Sequence, residues 1–114
     1  MVVAAVYNNP MECRKLTDLL LTVYPGGIIY EFSDFEEAVV CMHTRKLDAV
    51  FLEMNDHNLE PLCQIRQQNL SVPVYAWADN DSLLEEAMWN GASGFLVNPI
   101  LPEQLQMVSV SMGK

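Results

Sequence analysis

The chain has 114 residues, half of them apolar (51%), with fifteen Asp and Glu against six Lys and Arg for a formal net charge of −9. That length holds one domain with a core large enough to need no disulfide or metal support. No apolar run reaches the roughly 18 residues of a membrane-spanning helix. The scattered bases, Arg14, Lys15, Arg45, Lys46, Arg66 and Lys114, form no stripe for DNA phosphates or anionic lipid.

The start MVVAAVYNN lacks the basic opening and cleavage site of a signal peptide, so a cytoplasmic protein is expected. Cys13, Cys41 and Cys63 are odd in number and far apart, which predicts reduced thiols, not a disulfide or metal site.

Short apolar runs alternate with helical periodicity along the whole chain. Val2–Tyr7 reads as a first strand. Asn9 then offers an N-cap and Pro10 a first helical residue, and Cys13, Leu16, Leu20 and Val23 recur at helical spacing. Ile28–Phe32 reads as a second strand. Ser33 and Glu36 make a capping-box pair for a helix with Phe35, Ala38, Val39 and Met42 inward. Leu47–Met54 is nearly all apolar, as a strand buried on both faces would be. After the polar loop Asn55–Asn58, a short helix begins at Pro61 and ends near Gln68. Val72–Ala78 is a fourth strand, Ser82 and Glu85 a second capping-box pair for a helix to Asn90, Gly94–Val97 a fifth strand, and Pro102 opens a last helix to about Met112.

The result is a (βα)₅ chain, which predicts an α/β fold with one doubly wound parallel sheet. Any site should lie at the carboxyl ends of its strands. Periodicity alone goes no further, because unrelated functions share that architecture.

Three segments carry a resemblance. LDAVFLEMN resembles the third strand of bacterial response-regulator receiver domains, which ends in the phosphoacceptor Asp. VPVYAWA resembles their fourth strand, which ends in Thr or Ser. GASGFLVNPI is similar to the receiver pattern Gly-Ala-x-Gly-aromatic-x-x-Lys-Pro. The likeness covers essentially the whole chain. It implies a CheY-like, flavodoxin-like sheet of order 2-1-3-4-5 and one receiver-like domain over 1–114, standing alone or cut from a longer regulator. The interval from Ala78 to Asn98 resembles receivers that precede LytTR-type DNA-binding domains.

Carried over position by position, the resemblance places the family's chemistry on residues that lack it. The acidic pair that holds Mg²⁺ falls on Tyr7 and Asn8, or on Asn8 and Asn9 after a one-residue slip. Magnesium wants charged, hard oxygen ligands, and an amide oxygen carries only partial charge. The phosphoacceptor position is Glu53, one methylene too long. A displacement of order 1 Å costs about a hundredfold in a reaction governed by alignment. Ala78 stands where the Thr or Ser hydroxyl would be, and Asn98 where the Lys would be. Phosphoryl transfer rests on positioning and charge stabilisation, so no autophosphorylation, metal or cofactor is expected.

Two readings of Glu53 stay open: a strand-end group accepting from Asn8, Asn9 or Asn98, or a mimic of the phosphorylated Asp. Phe95 falls at the family's switch aromatic, where core packing is expected because Ala78 vacates no space. Pro99 falls at the cis proline. The loop Asn55–Asn58 lacks the family's Met-Pro and Gly. His57, in that loop beside Glu53, makes at most two metal ligands, too few for a site. His43, near a helix end, reads as a surface residue. No nucleophile elbow, phosphate loop or Ser/His/Asp grouping is present, so no enzyme is expected.

With the chemistry gone, surfaces remain. Met88 and Trp89 on the fourth helix, and Met107 and Val110 on the last, exceed what one buried stripe requires. They lie on the face that receivers use for dimerisation and output. The expectation is a phosphorylation-independent pseudo-receiver, homodimeric, controlling a protein partner or its own output domain, with no direct nucleic-acid or membrane contact. Two alternatives are residual phosphotransfer onto Glu53, and a small-ligand sensor whose rim is Tyr7, Asn8, Glu53 and Trp77.

Overall fold

The computed structural model describes residues 1–54 and 59–111, the side chains of 107–111 excepted. Its elements run β1 (Val2–Val6), α1 (Pro10–Val23), β2 (Ile28–Phe32), α2 (Phe35–Thr44), β3 (Ala49–Glu53), α3 (Glu60–Gln67), β4 (Val74–Ala78), α4 (Asp81–Trp89), β5 (Gly94–Val97) and α5 (Pro102–Ser111). All strand pairs are parallel, and the sheet order is β2-β1-β3-β4-β5.

Alternating side chains on the strands divide the core into two layers. Val6, Val50, Leu52, Ala76 and Ala78 pack beneath α2, α3 and α4, against residues such as Ala38, Met42, Leu62 and Leu84. Ala5, Phe51, Tyr75, Trp77 and Leu96 pack on the opposite face against Cys13, Leu16 and Leu20 of α1 and Leu105 of α5. The central strands β3 and β4 are therefore apolar on both faces, and burying them accounts for the near-continuous hydrophobic runs in sequence. Phe51 and Tyr75 sit side by side in register with ring centroids 5.7 Å apart. Gly94 lies next to Tyr75 across β5. A Cβ there would come within 3.0 Å of the Tyr75 ring, so the strand needs a residue without one.

Some element ends differ from their sequence signals. Asp34, not Ser33, caps α2, its carboxylate accepting from the Glu36 amide. Asn80, not Ser82, caps α4, accepting from the Ser82 amide at 2.8 Å. Neither capping box forms. Each loop offers more than one eligible cap residue, Ser33 and Asp34 in one and Asn80, Asp81 and Ser82 in the other. β4 starts at Val74 instead of Val72, because Pro73 has no amide to give the ladder. β3 is trimmed to Ala49–Glu53, and Leu47 packs from just outside it. The loop Asn55–Asn58, His57, Met112 and the side chains of Met107, Val108 and Val110 lie outside the described residues.

Candidate functional site

In an open parallel sheet, ligands gather where the connections diverge at the carboxyl ends of the strands. Here that point lies between β1 and β3, with β2 on one side and β4 and β5 on the other. Glu53 closes β3 and is half-buried there. Its Oε1 accepts the backbone amides of Asn8 at 2.7 Å and Asn9 at 3.0 Å. The carboxylate thus ties the end of β3 to the entry of α1. An anion beside a helix N-terminus is favoured by the unpaired amides and the helix dipole.

The two asparagines hold their places by other bonds. Asn9 Oδ1 accepts from Met11 and Glu12 and caps α1. Asn8 Nδ2 donates to the Glu53 carbonyl at 3.5 Å. Tyr7 donates its amide to the Phe32 carbonyl and packs its ring into the α1/α5 layer, whereas the amides on Glu53 come from the two residues after it. The pair of residues next to Glu53 is therefore Asn8 and Asn9.

On the far side, Ala78 is buried and offers only a methyl group, while its carbonyl accepts the Asn98 amide at 2.8 Å. Asn98 does not turn to Glu53. Its Nδ2 donates to Asp79 Oδ1 at 2.9 Å, a partner the sequence pattern did not single out although Asp79 directly follows Ala78. The Asn98–Pro99 peptide bond is cis. Gln104 of α5 holds this turn, accepting from the Val97 amide at 3.0 Å and donating to the carbonyls of Val97 and Pro99. Its signal in sequence was a polar residue two positions past Pro102.

Two sequence expectations for this end of the sheet are corrected. Trp77 is fully buried in the α1/α5 layer and lines no rim. It pairs in register with Glu53, but its indole runs into the layer packed against Cys13, Leu16 and Leu20 of α1. Phe95 is 45% exposed, so core packing is not its role. β5 is a four-residue edge strand; Leu96 faces the core, and Phe95 falls on the opposite side at the sheet's border.

The donor set does not fit the Mg²⁺ of working receivers. Glu53 Oε1 and Asn9 Oδ1 each already accept two backbone amides. Among the described residues, no three His, Cys, Asp or Glu side chains converge on a common point. Among the described residues, what remains is a hollow of about 210 Å³ between Glu53, Ala78, Asp79 and Asn98, with carboxylates and amides but no basic side chain on its walls.

No protein-family model matches the sequence, and no curated protein matches it. Solved structures match over nearly all of it. The receiver domain of a sensor histidine kinase from Pseudomonas aeruginosa, with magnesium in its active-site cleft, is 20% identical. It has a TM-score of 0.81 and covers 99% of this chain and 98% of its own. A CheY-like receiver domain from Methylobacillus flagellatus is also 20% identical, with a TM-score of 0.79 and 98% of both chains covered. A LuxR-family DNA-binding response regulator from Silicibacter pomeroyi is 19% identical at a TM-score of 0.82, covering 99% of this chain and 92% of its own. The fold is the CheY-like receiver fold.

Proposed function

We propose that this chain is a receiver-type signalling module that works without phosphorylation. It passes its state to a protein partner or an attached output domain. The observation that carries this reading is the pair of backbone amides on Glu53. The acidic group at the phosphoacceptor position is already committed to the start of α1, as a fixed structural anion. The neighbours that would receive a phosphoryl group are a methyl at Ala78 and an amide bound to Asp79 at Asn98. An acyl-phosphate there would lack both a hydroxyl donor and a cation, and each missing contact raises the barrier.

The output surface in this reading is the α4–β5–α5 face. Trp89 is 89% exposed at the end of α4, with Met88 beside it and Phe95 half-exposed on the adjoining edge strand. A large aromatic left in water next to other apolar groups suits a protein contact, and a second copy of the chain is the simplest partner. The module acts in the cytoplasm as a non-enzyme and leaves any nucleic-acid contact to another domain.

Intact-mass spectrometry after incubation with acetyl phosphate and Mg²⁺ tests the proposal. The expected spectrum is that of the unmodified chain, for the native protein and equally for Glu53→Asp, because that change restores neither the hydroxyl nor the lysine. A phosphate adduct on native Glu53 would overturn the reading.

A further inference from the structure

Beside the degenerate centre lies a second cleft, of about 290 Å³, between α1 and the turn that joins β5 to α5. At about 30 Å³ per water-sized group this admits a molecule of roughly ten heavy atoms. Leu16, Leu19, Pro99 and Ile100 make its apolar wall, and Glu12, Lys15, Asp79 and Asn98 line its polar side. We infer that this cleft binds a small organic cation, a primary amine carried on a short apolar body.

The acceptors are of the right kind and number. An ammonium has three N–H donors and no acceptor. Asn98 spends its Nδ2 on Asp79, which leaves its Oδ1 to accept and holds Asp79 in place. Among the described residues no Lys, Arg or His nitrogen lies within 4 Å of an Asp79 oxygen; the recorded ion pair is Lys15 with Glu12, at 3.8 Å. That pair is weak, because the Lys15 side chain is 72% exposed and exposed pairs hold by little. Among the described residues, an entering amine therefore competes with a loosely held lysine. The −9 net charge of the chain raises the local concentration of cations. A metal ion fits less well, since among the described residues three His, Cys, Asp or Glu side chains do not converge, and the apolar wall favours a ligand with a hydrocarbon body.

The cleft adjoins the hollow at Glu53, with which it shares Asp79 and Asn98. An amine seated there would pull on the same Asn98 that lines the family's phosphate position. Its role as the input that replaces phosphorylation rests on the function proposed above; the binding itself does not.

The protein carries its own reporter. Trp77 belongs to the same packed layer as Leu16 and Ile100, and Trp89, the other tryptophan, is exposed. In a Trp89→Phe background, Trp77 emission and calorimetry follow titration with isopentylamine, using isopentanol and isovalerate as neutral and anionic isosteres. The amine should bind saturably, with the alcohol and the acid at least about tenfold weaker. Asp79→Asn keeps an oxygen for Asn98 and should weaken the amine about tenfold. Lys15→Gln, at an exposed position, should tighten it about threefold. Equal responses to amine and alcohol, no binding, or unchanged affinity in Asp79→Asn would overturn the inference. If Asp79→Asn does not fold, Lys15→Gln decides, and a failure to tighten sinks it. These titrations contain no phosphodonor, so their failure leaves the acetyl phosphate result standing, and the reverse holds too.

Discussion

Cys13 is 1% exposed on the inner face of α1. Burial, with the negative charges of Glu31 and Glu53, pushes its thiol up from the ordinary 9.0 to about 12, against a smaller opposite pull from Arg14. The folded state therefore keeps the proton in a range where the unfolded chain loses it. Stability from this group is complete below pH 9 and is lost as pH rises toward 12, by at most about 1.4 kcal/mol per pH unit. Urea unfolding at several pH values should show the decline, and Cys13→Ala should flatten it while lowering stability at neutral pH through the cavity it leaves. In the native protein at pH 8, a thiol reagent should label half-buried Cys63 first and reach Cys13 only on unfolding. At this scale the sequence was uneven as a guide. The chemical poverty of Ala78 and Asn98 was legible, because the absence of a group needs no geometry. A bond from Asn8 or Asn9 to Glu53 was among the readings the sequence offered, and the structure makes both with backbone amides; the bond of Asn98 to Asp79 was not legible, because no local pattern pairs two side chains that far apart in the chain.

Arg66 in the last turn of α3 joins three segments. Its guanidinium donates to the carbonyls of Leu70 and Val72 at 2.9 and 3.0 Å and to that of Gly91 at 3.0 Å, with a longer contact to Ser93 Oγ. The planar fork suits several carbonyls at once, and burial lowers its pKa without discharging it. Gly91, with φ of +105° after the end of α4, lets the arginine pass; a Cβ there would sit 3.1 Å from Arg66 Cγ. Arg66→Met should cost about 2 kcal/mol in denaturant unfolding, and Arg66→Lys should recover less than half, since an ammonium cannot span the same carbonyls. Gly91→Ala should cost about 1–2 kcal/mol alone and less in an Arg66→Ala background, which has no Cγ to crowd the new methyl; additive costs would refute the coupling. Element identity was readable because each apolar run must be buried, whatever its exact ends. The ends were read less well: the caps at Asp34 and Asn80 and the late start of β4 depend on where neighbouring strands stop, which no local pattern encodes. Arg66, read from sequence as one scattered base, acquires its role only from three carbonyls brought together by the fold.

For the whole molecule, the two tryptophans stand at opposite extremes, Trp77 fully buried and Trp89 89% exposed. Burying Trp77 stabilises the core, but its indole N–H has no acceptor among the described residues, a cost of about 1–3 kcal/mol carried within the sheet. Trp89 contributes almost nothing to folding, so its exposure is free to serve association. If the α4–β5–α5 face joins two copies, sedimentation equilibrium should show the average mass rising toward that of a dimer with concentration. Trp89→Asp should hold the chain monomeric while unfolding within about 0.5 kcal/mol of the native protein, as for other surface changes. Association should also blue-shift the part of the emission that comes from Trp89 and leave the Trp77 part unchanged. The contact is apolar, so it should persist in high salt, where a contact made by surface ion pairs would weaken. It should also be indifferent to acetyl phosphate and Mg²⁺, because Glu53 Oε1 already accepts the amides of Asn8 and Asn9 and the centre has a methyl at Ala78 and an amide at Asn98. A mass that stays at one chain at all concentrations, or a dimer that Trp89→Asp leaves intact, would remove this face as the point of association.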